Sequence, residues 1–482
     1  MKKFFYYASA LLAVFMTYSC MEVADNPVNG GETTPEKTTV TIEDANGNKY
    51  ETEVIATFKG EVGSEVSLKL GVYDAFDIYG VDFGDGKIVA DTVCYQNGGL
   101  LGEDGKTKEG TTHKGTTEFK GTVAGDGTIT VYGKSDVWYL NLSNGTAPTS
   151  YNQEKLKKVV QFLISKVSAE AIDLTGLDEL EQFSFTQGSL KSINVSNNAK
   201  LRILTINNNT ASAFESILES IDLTKNTELE ELNLMAASAT KPGKLTKLDL
   251  SNNSKLTKLY AQYNVLTEVK LPAGAALSFL NLQDNQLESI ELSQLTSLKD
   301  TYLNNNKLKA VDLSKLKAGA NLYIDGNELT ELTVPVSVKN LQANNNKLTK
   351  VSLVDCTASC KLENNCLTIA TLPTKPASLN TDSKIKKFTY NPQADMEVTL
   401  NGAALDLSAQ ASAQGELEAP VATTFTVKAD GTTLTTGADY AINNGIITFA
   451  KSFQNVVVEM TTEAFPKLTV LKTKAFDVTV DK

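Results

Sequence analysis

Apolar and polar positions recur with a regular period through the middle of the chain. A half-unit of the form L-x-x-L-x-L-x-x-N repeats there, as in Leu245-Leu248-Leu250-Asn253. Similar half-units without the asparagine lie between these copies, such as Leu287-Ile290-Leu292. The asparagines from Asn264 to Asn327 are 21 residues apart, and the next two follow at intervals of 19. The pattern predicts turns of about 21 residues, each built from two short extended segments.

Such turns predict a solenoid. Side chains alternate between the two faces of a strand, so each L-x-L places two side chains on one side. One turn alone cannot bury them, whereas stacked turns bury them in a continuous core. Where the chain leaves the strand, an asparagine amide can donate to and accept from backbone groups that have no strand partner. We expect this structural role at the turn asparagines Asn198, Asn209, Asn253, Asn264, Asn285, Asn306, Asn327, Asn346 and Asn365.

The repeat resembles the leucine-rich-repeat family, and within it the bacterial 21-residue form. The segments LTKLDLSNNSKLTKLYAQYNVLTEVKL and LKDTYLNNNKLKAVDLSKL carry the resemblance, which covers about residues 175–375. It departs from the family pattern at Thr301 and Cys360, which hold leucine-type positions, and near 210–218 and 234–244, where insertions loosen the period. The resemblance implies a surface lipoprotein of the Bacteroidetes type that binds or adheres to other molecules.

One outward face of the repeat carries candidate binding residues. The central residue of each L-x-L points outward, and in successive turns these residues include Asp249, Tyr260, Tyr302 and Tyr323. Stacked strands lie about 4.8 Å apart, so the tyrosine rings are expected to form one row. Tyrosine flanked by Asn, Gln and Asp is typical of recognition surfaces, although tyrosine also suits exposed strands in general. The candidate ligand face consists of Tyr260, Gln262, Tyr263, Phe279, Asn281, Gln283, Asp300, Tyr302, Asn304, Asn321, Tyr323, Asp325 and Gln342.

The regions on both sides of the repeat are predicted to be β-sandwich domains, so the whole chain is expected to be mainly β. Residues 38–135 alternate apolar and polar positions between Gly-rich turns. Their string GVDFGDG at 80–86 resembles the signature of PKD-type immunoglobulin-like domains, with Val81 in place of a tryptophan. Residues 391–482 are similar to bacterial immunoglobulin-like modules, for which we expect a capping or spacing role.

The solenoid itself is assigned to residues 136–390, and a helix is predicted at its N-terminal end. Solenoid ends need caps because their last turn is otherwise open. Apolar residues from Asn152 to Val167 follow the spacing of a helix. The residues with this spacing are Leu156, Val159, Val160, Leu163, Ile164 and Val167.

The N-terminus is typical of a lipoprotein signal peptide, assigned to residues 1–20. Lys2 and Lys3 precede an uncharged and mostly apolar run that is too short for a membrane-spanning helix, which needs about 20 residues. The run ends in Ser19-Cys20, which resembles the cleavage site at which a cysteine becomes the lipidated N-terminus. Ordinary signal-peptidase cleavage is the alternative. Residues 21–37 are predicted to be a flexible tether.

Composition limits the chemistry that this chain can perform. A net charge of −12 disfavours nucleic acid as a partner. The single histidine, His113, leaves at most one imidazole acid or base, and the sequence predicts no cofactor, metal or catalytic residue. For Cys356, Cys360 and Cys366 the sequence leaves open buried packing, a disulfide or a metal site, with packing favoured.

These observations predict a binding protein rather than an enzyme. We expect a secreted protein, lipid-anchored to the bacterial outer membrane and exposed at the cell surface, that binds a protein partner or mediates adhesion through its Tyr/Asn face. A glycan-binding lipoprotein and a spacer without a ligand are the alternatives.

Overall fold

The computed structural model describes residues 39–72, 76–94, 116–134, 136–143, 146–151, 156–208, 214–379 and 387–480. The predictions for Cys20, the tether 21–37, His113 and Asn209 lie outside these residues. The chain divides into two compact units, Met1–Ala275 and Ala276–Lys482. In the described ranges, no helix is both long and apolar enough to span a membrane.

The first unit begins with two antiparallel sheets. One has the strand order β1-β2-β7-β4-β5, with β9 also paired to β2, and the other joins β6, β3 and β8. Their alternating positions bury residues such as Phe58 and Val131 from one sheet and Leu68 from the other. A PKD-type assignment for this region remains a prediction. The strands are β1 (Thr39–Glu43), β2 (Lys49–Gly60), β3 (Glu65–Val72), β4 (Phe76–Asp82), β5 (Ile88–Cys94), β6 (Thr117–Thr122), β7 (Thr128–Gly133), β8 (Val137–Ser143) and β9 (Thr146–Tyr151).

The GVDFGDG string forms the tight turn between β4 and β5. The Asp82 carboxylate accepts hydrogen bonds from the backbone N–H groups of Gly84, at 2.8 Å, and of Gly86, at 3.1 Å. Gly84 has φ +100°, and a Cβ added to it would lie 2.4 Å from the Ala124 carbonyl oxygen. The turn therefore requires glycine at this position.

The repeat of the first unit forms a parallel sheet in the order β8-β10-β12-β14-β15-β17. The opposite half-turns form two smaller parallel pairs, β11-β13 and β16-β18. One core column runs through Phe162, Phe183, Leu204, Leu232 and Leu259, all of which are fully buried. The strands are β10 (Gln161–Ser165), β11 (Ser168–Asp173), β12 (Gln182–Thr186), β13 (Ser189–Asn194), β14 (Ile203–Asn207), β15 (Glu231–Asn233), β16 (Lys247–Asp249), β17 (Lys258–Tyr260) and β18 (Glu268–Lys270).

The helix predicted over Asn152–Val167 is wrong beyond Leu156, the one described residue of that range with a helical backbone. Residues Gln161–Ser165 form strand β10, which pairs in parallel with β8 on one side and β12 on the other. Phe162, Leu163 and Ile164 are all buried, so both faces of this strand are covered. A continuous apolar run of this kind satisfies the spacing of a helix as well as that of a buried strand. Strand β8 therefore lies next to β10, at the position for which a helical cap was predicted.

The second unit begins with the same architecture. Its strands form a parallel sheet in the order β19-β20-β21-β22-β23-β24. The repeated parallel register and the buried leucines identify a leucine-rich-repeat type β-solenoid. The core column consists of Leu280, Thr301, Leu322, Leu341, Cys360 and Phe388. The strands are β19 (Phe279–Asn281), β20 (Asp300–Tyr302), β21 (Asn321–Tyr323), β22 (Glu331–Gln342), β23 (Lys350–Lys361) and β24 (Lys387–Thr389), and a 3₁₀ helix spans Ala377–Leu379.

Two cysteines of the second unit, Cys356 and Cys360, act as packing residues. Cys360 lies in the core column as predicted, but Cys356 lies opposite Val338 inside the β22-β23 ladder rather than at an asparagine-type turn. Both thiols are buried and free, and Cys366 is exposed and free. The contact with the Cys356 thiol raises the pKa of the Cys360 thiol well above its usual value, and burial adds to this. Within the described residues, no group of three or more His, Cys, Asp or Glu side chains is placed to hold a metal ion.

A C-terminal β domain follows the last repeat and packs against it. The Tyr390 hydroxyl donates to Glu416 at 2.6 Å, and the backbone N–H of Ala370 donates to the Gln410 side chain at 3.0 Å. The Tyr390 ring also contacts Phe465. Its strands are β25 (Leu400–Asn401), β26 (Ala404–Asp406), β27 (Ser412–Ala413), β28 (Val421–Ala422), β29 (Thr424–Ala429), β30 (Thr432–Thr433), β31 (Tyr440–Asn443), β32 (Ile446–Phe449), β33 (Phe453–Thr461), β34 (Leu471–Lys472) and β35 (Phe476–Val478), and a 3₁₀ helix spans Ser408–Gln410. The domain therefore covers the end of the repeat, while its immunoglobulin-like assignment remains a prediction.

Candidate functional site

A ladder of buried asparagines supports the turns of the second unit. The Asn306 amide donates to the carbonyl oxygens of Leu282 and Leu303, each at 3.0 Å. Its side-chain oxygen accepts from the backbone N–H of Leu287 at 3.0 Å. The same arrangement recurs one turn later at Asn327, and again at Asn346 and Asn365. The amide thus satisfies backbone groups of two successive turns, and this fixes where each outward strand begins and ends.

Three asparagines of the first unit occupy a different corner from this ladder. Asn198 and Asn253 follow the opposite half-turn, and each donates to two carbonyl oxygens. Within the described residues, the side-chain oxygens of both lack a partner. Asn226 shares this position and donates to the carbonyl oxygens of Val195 and Asn198, although it was not among the turn asparagines predicted from the sequence. The two corners are therefore distinct, and the asparagine alone does not tell them apart.

Stacked aromatic rings lie on the outward side of the parallel sheet in the second unit. Tyr302 and Tyr323 are neighbours on β20 and β21, with ring centroids 4.6 Å apart and planes 4° from parallel. The ring centroid of Phe279 lies 5.6 Å from that of Tyr302, and the two ring planes are tilted by 41°. Both tyrosines are half-buried, and we call Phe279, Tyr302 and Tyr323 the aromatic row. Parallel stacking follows from the register, because adjacent strands hold equivalent side chains about 4.8 Å apart.

A row of amides borders the aromatic row. The Asn321 amide donates to the Asp300 carboxylate at 2.6 Å, and the Asn340 amide donates to Asn321 at 2.7 Å. Burial raises the pKa of Tyr323, and the nearby Asp300 carboxylate raises it further. The Tyr323 hydroxyl is therefore protonated at neutral pH and can donate to a ligand.

A second set of polar side chains lies two positions after the outward residues. This polar row consists of Gln283, Asn304, Asp325, Asn344 and Glu363. Part of this row is withdrawn from water. One carboxylate oxygen of Glu363 is buried and has no hydrogen-bond partner among the described residues, and the same is true of the side-chain oxygen of Asn344. Desolvation raises the pKa of Asp325 more than the charge of Lys361 lowers it, and the Asp284 carboxylate also raises it. The aromatic row is therefore accompanied by side chains that can accept hydrogen bonds, and two of these side chains are carboxylates.

Two predicted face residues are buried rather than exposed. Asn281 is only 9% exposed, and its side-chain oxygen accepts from the backbone N–H of Gln283 at 3.2 Å. Gln262, in the first unit, is 7% exposed. An outward position does not guarantee exposure where larger side chains surround it. Gln342 remains half-buried next to Tyr323 in the sheet.

The first unit holds the remaining predicted residues. Tyr260 is half-buried and pairs in the sheet with Asn233, not with Asp249. Asp249 lies on β16 in the opposite half-turn, where it accepts from Lys270 at 2.9 Å, so its assignment to the tyrosine row is wrong. Tyr263 adopts a left-handed backbone with φ 63°, which is rare for a bulky residue.

Three residues of the face were not predicted from the sequence. Asn340, Asn344 and Glu363 extend the amide and polar rows beyond Tyr323. A signal for them existed, because the same positions repeat at intervals of 19 after Asn321 and Asp325. The face predicted from the sequence ended at Gln342 instead.

Comparison with known proteins adds little to this geometry. No protein-family model matches the chain, and no curated protein matches it. Among solved structures, it is similar to the functional domain of InlJ from Listeria monocytogenes, which includes a cysteine ladder, at 17% identity over 68% of this chain and 87% of that chain, with a TM-score of 0.26. It is also similar to the leucine-rich repeat domain of APL1B, at 15% identity over 61% of this chain and 89% of that chain, with a TM-score of 0.34. At these values neither structure carries a functional argument, and the fold rests on the register of the chain's own strands.

Proposed function

We propose that this chain is a cell-surface binding protein that contacts another protein through the outward face of its second unit. The observation that carries the proposal is the aromatic row, in which three large rings lie half-buried on the sheet and are bordered by amides and carboxylates. Tyrosine gives contact area and a hydroxyl at a low cost in side-chain entropy, which suits protein recognition.

The geometry of the rings favours a protein over a glycan. Tyr302 and Tyr323 stack face to face, so each ring has one face covered by the other. Sugar recognition by stacking uses an open ring face, whereas a protein partner also packs against ring edges and hydroxyl groups. The glycan alternative therefore has less support on this face.

Anchoring at the membrane through Cys20 forms the second part of the proposal. It is supported by the basic and apolar residues before Cys20 in the sequence. A lipid anchor would hold the repeat at a membrane surface, where the binding face meets partners in the surrounding medium. Two or three acyl chains suffice for stable anchoring, whereas a single chain does not.

The test compares the wild-type chain with the double variant Tyr302→Ala/Tyr323→Ala in affinity capture from a surface-protein fraction and on a glycan array. Tyr50→Ala serves as the control, because Tyr50 is an exposed tyrosine outside the second unit. We expect proteins captured by the wild type to be retained by the control and lost by the double variant. Unchanged capture by the double variant would exclude this face. Binding confined to the glycan array would favour the glycan alternative.

A further inference from the structure

The outward face of the second unit carries charge of one sign along most of its length. From Phe279 to Tyr323, the outward positions of β19, β20 and β21 include Asp300 but no lysine or arginine. Asp325 and Glu363 follow in the polar row. The positive charge of Lys361 interacts with the Asp325 carboxylate and lowers its pKa. The face therefore presents carboxylates beside aromatic rings.

Several carboxylates elsewhere in the repeat pair with a lysine of the adjacent turn. In the second unit, Lys309 binds Glu288 at 2.7 Å and Lys347 binds Glu328 at 2.8 Å. The first unit repeats this arrangement, for instance between Lys247 and Glu268 at 2.8 Å. Lysine from a neighbouring turn is thus one recurring way in which this chain balances a carboxylate.

The polar row lacks this neutralisation. Within the part of the chain that the structure describes, neither Asp325 nor Glu363 has an ion-pair partner within 4.0 Å. Both are nevertheless partly desolvated, which disfavours an unpaired charge. Two partly buried carboxylates without an ion-pair partner among the described residues, on a face that already carries aromatic rings, support a counter-charge supplied from outside.

We propose that this face binds a protein segment bearing arginine or lysine side chains, whose cations pair with Asp325 and Glu363 next to the Tyr302–Tyr323 stack. The inference rests on the proposed function and names the chemistry of its partner. Asp325 and Glu363 are two turns apart, which at about 4.8 Å per strand is roughly 10 Å. Two cations of one segment can therefore each take one carboxylate. A single metal ion cannot bridge them, because its oxygen ligands lie within about 2.6 Å.

Arginine suits the surroundings of these carboxylates. The face of Tyr323 that does not stack on Tyr302 is directed toward the next strand, where Gln342 is its neighbour. A guanidinium placed there contacts the ring, and its planar fork matches a carboxylate. The protonated Tyr323 hydroxyl offers a further bond to the partner's backbone or side chains.

The test uses a synthetic Gly/Ser peptide with evenly spaced arginines and a matched peptide in which citrulline replaces each arginine. Binding of both peptides to the full chain is measured by calorimetry for the wild type and for Asp325→Asn/Glu363→Gln. The control is Glu288→Gln/Glu328→Gln, which removes the same charge from lysine-paired sites of the same unit. All four substitutions keep the size of the side chain, and matching thermal unfolding confirms that each variant folds.

We expect the arginine peptide to bind the wild type, to bind Asp325→Asn/Glu363→Gln at least about tenfold more weakly, and to bind the control within about twofold of the wild type. The citrulline peptide is expected not to bind. Equal losses in both variants would mean that overall acidity attracts the peptide, and this would overturn the inference. No binding to the wild type up to about 1 mM would also overturn it.

Failure of this inference is distinguishable from failure of the proposed function. If a captured protein is lost with Tyr302→Ala/Tyr323→Ala but retained with Asp325→Asn/Glu363→Gln, the face binds a protein that does not use cations at these carboxylates. If the tyrosine variant retains the protein, the proposed function itself is wrong.

Discussion

Thr301 takes a leucine position in the core column between Leu280 and Leu322 and is fully buried. Within the described residues, its hydroxyl has no hydrogen-bond partner. Burial of an unpartnered hydroxyl opposes folding, because the group loses its bond to water.

Replacing Thr301 with valine is expected to stabilise the protein by about 1 kcal/mol, because it removes the unpartnered hydroxyl and keeps the volume. The free energy of unfolding from denaturant titration measures the effect. Thr301→Ser keeps the hydroxyl and removes a methyl group, so it is expected to destabilise. A valine variant less stable than the wild type would show that the hydroxyl has a partner.

The negative charge of Asp325 is unfavourable in the folded state. Folding raises its pKa, so its contribution to stability is neutral below the unfolded value, near 3.9, and becomes unfavourable as the pH rises through the folded pKa. Asp325→Asn is therefore expected to raise the free energy of unfolding at pH 7, by less than about 1 kcal/mol after screening by solvent, and to have no effect at pH 3. Denaturant titration at both pH values measures this difference.

Asp312 is the matched control, since bonds from Ser314 lower its pKa. This carboxylate stabilises the fold above its unfolded pKa, and that contribution disappears as the pH falls through the folded value. Asp312→Asn is accordingly expected to lower stability at pH 7, the opposite sign to Asp325→Asn. Two changes of the same sign would contradict the assignment of Asp325 as a desolvated carboxylate.

The asparagine ladder is the element that holds successive turns in register. Asn306 satisfies two carbonyl groups and one N–H group of the backbone, and these groups would otherwise be buried without partners. A solenoid turn contacts only its neighbours, so each rung contributes locally to stability.

Asn306→Ala is expected to destabilise by about 3 kcal/mol, since three backbone groups lose their partner. Asn253→Ala is expected to cost roughly 1 kcal/mol less, because the oxygen of Asn253 makes no bond that would be lost. Denaturant titration monitored by circular dichroism measures both variants. Lys307→Ala, an exposed change next to Asn306, is the control. A cost at Asn306 no larger than at Lys307 would rule out the ladder as a stabilising element.

The core of the repeat could be predicted from the sequence because burial of L-x-L is a local property of a strand. Leu259 and Leu280 follow directly from the period. The period did not show that β10 is a strand rather than a helix, because Phe162, Leu163 and Ile164 fit the spacing of a helix and of a buried strand equally well. Only pairing with β8 and β12, which depends on distant residues, decides between them.

The candidate face was predictable in direction but not in exposure or extent. Tyr302 and Tyr323 lie where the alternation places them, and their stacking follows from the register. The burial of Asn281 depends on side chains of other turns, which the local pattern does not contain. Asp249 was misplaced because both halves of a turn end in the same L-x-L pattern, and only strand pairing separates them.

At the scale of the whole molecule, charge is distributed by position rather than uniformly. The chain carries a net charge of −12, yet many carboxylates of the repeat bind a lysine of the adjacent turn. Carboxylates without such partners therefore contribute disproportionately to the field that a partner meets. That field attracts cationic segments and repels anionic lipid headgroups.

The same charge makes the proposed anchor at Cys20 testable. A chain of net charge −12 gains nothing from an anionic membrane surface, so we propose that acyl chains at Cys20 hold it there. We expect Cys20→Ser to move the protein from the membrane fraction to the soluble fraction, because it removes the sulfur to which lipid is attached. Cys366→Ser is the control, since Cys366 is an exposed cysteine without a proposed lipid, and it is expected to leave the protein on the membrane. Washing with high salt should release neither the wild type nor the control, because salt weakens ionic contacts but not the burial of acyl chains. If Cys20→Ser stayed with the membrane through the same wash, the protein would be held by a contact other than a lipid at Cys20.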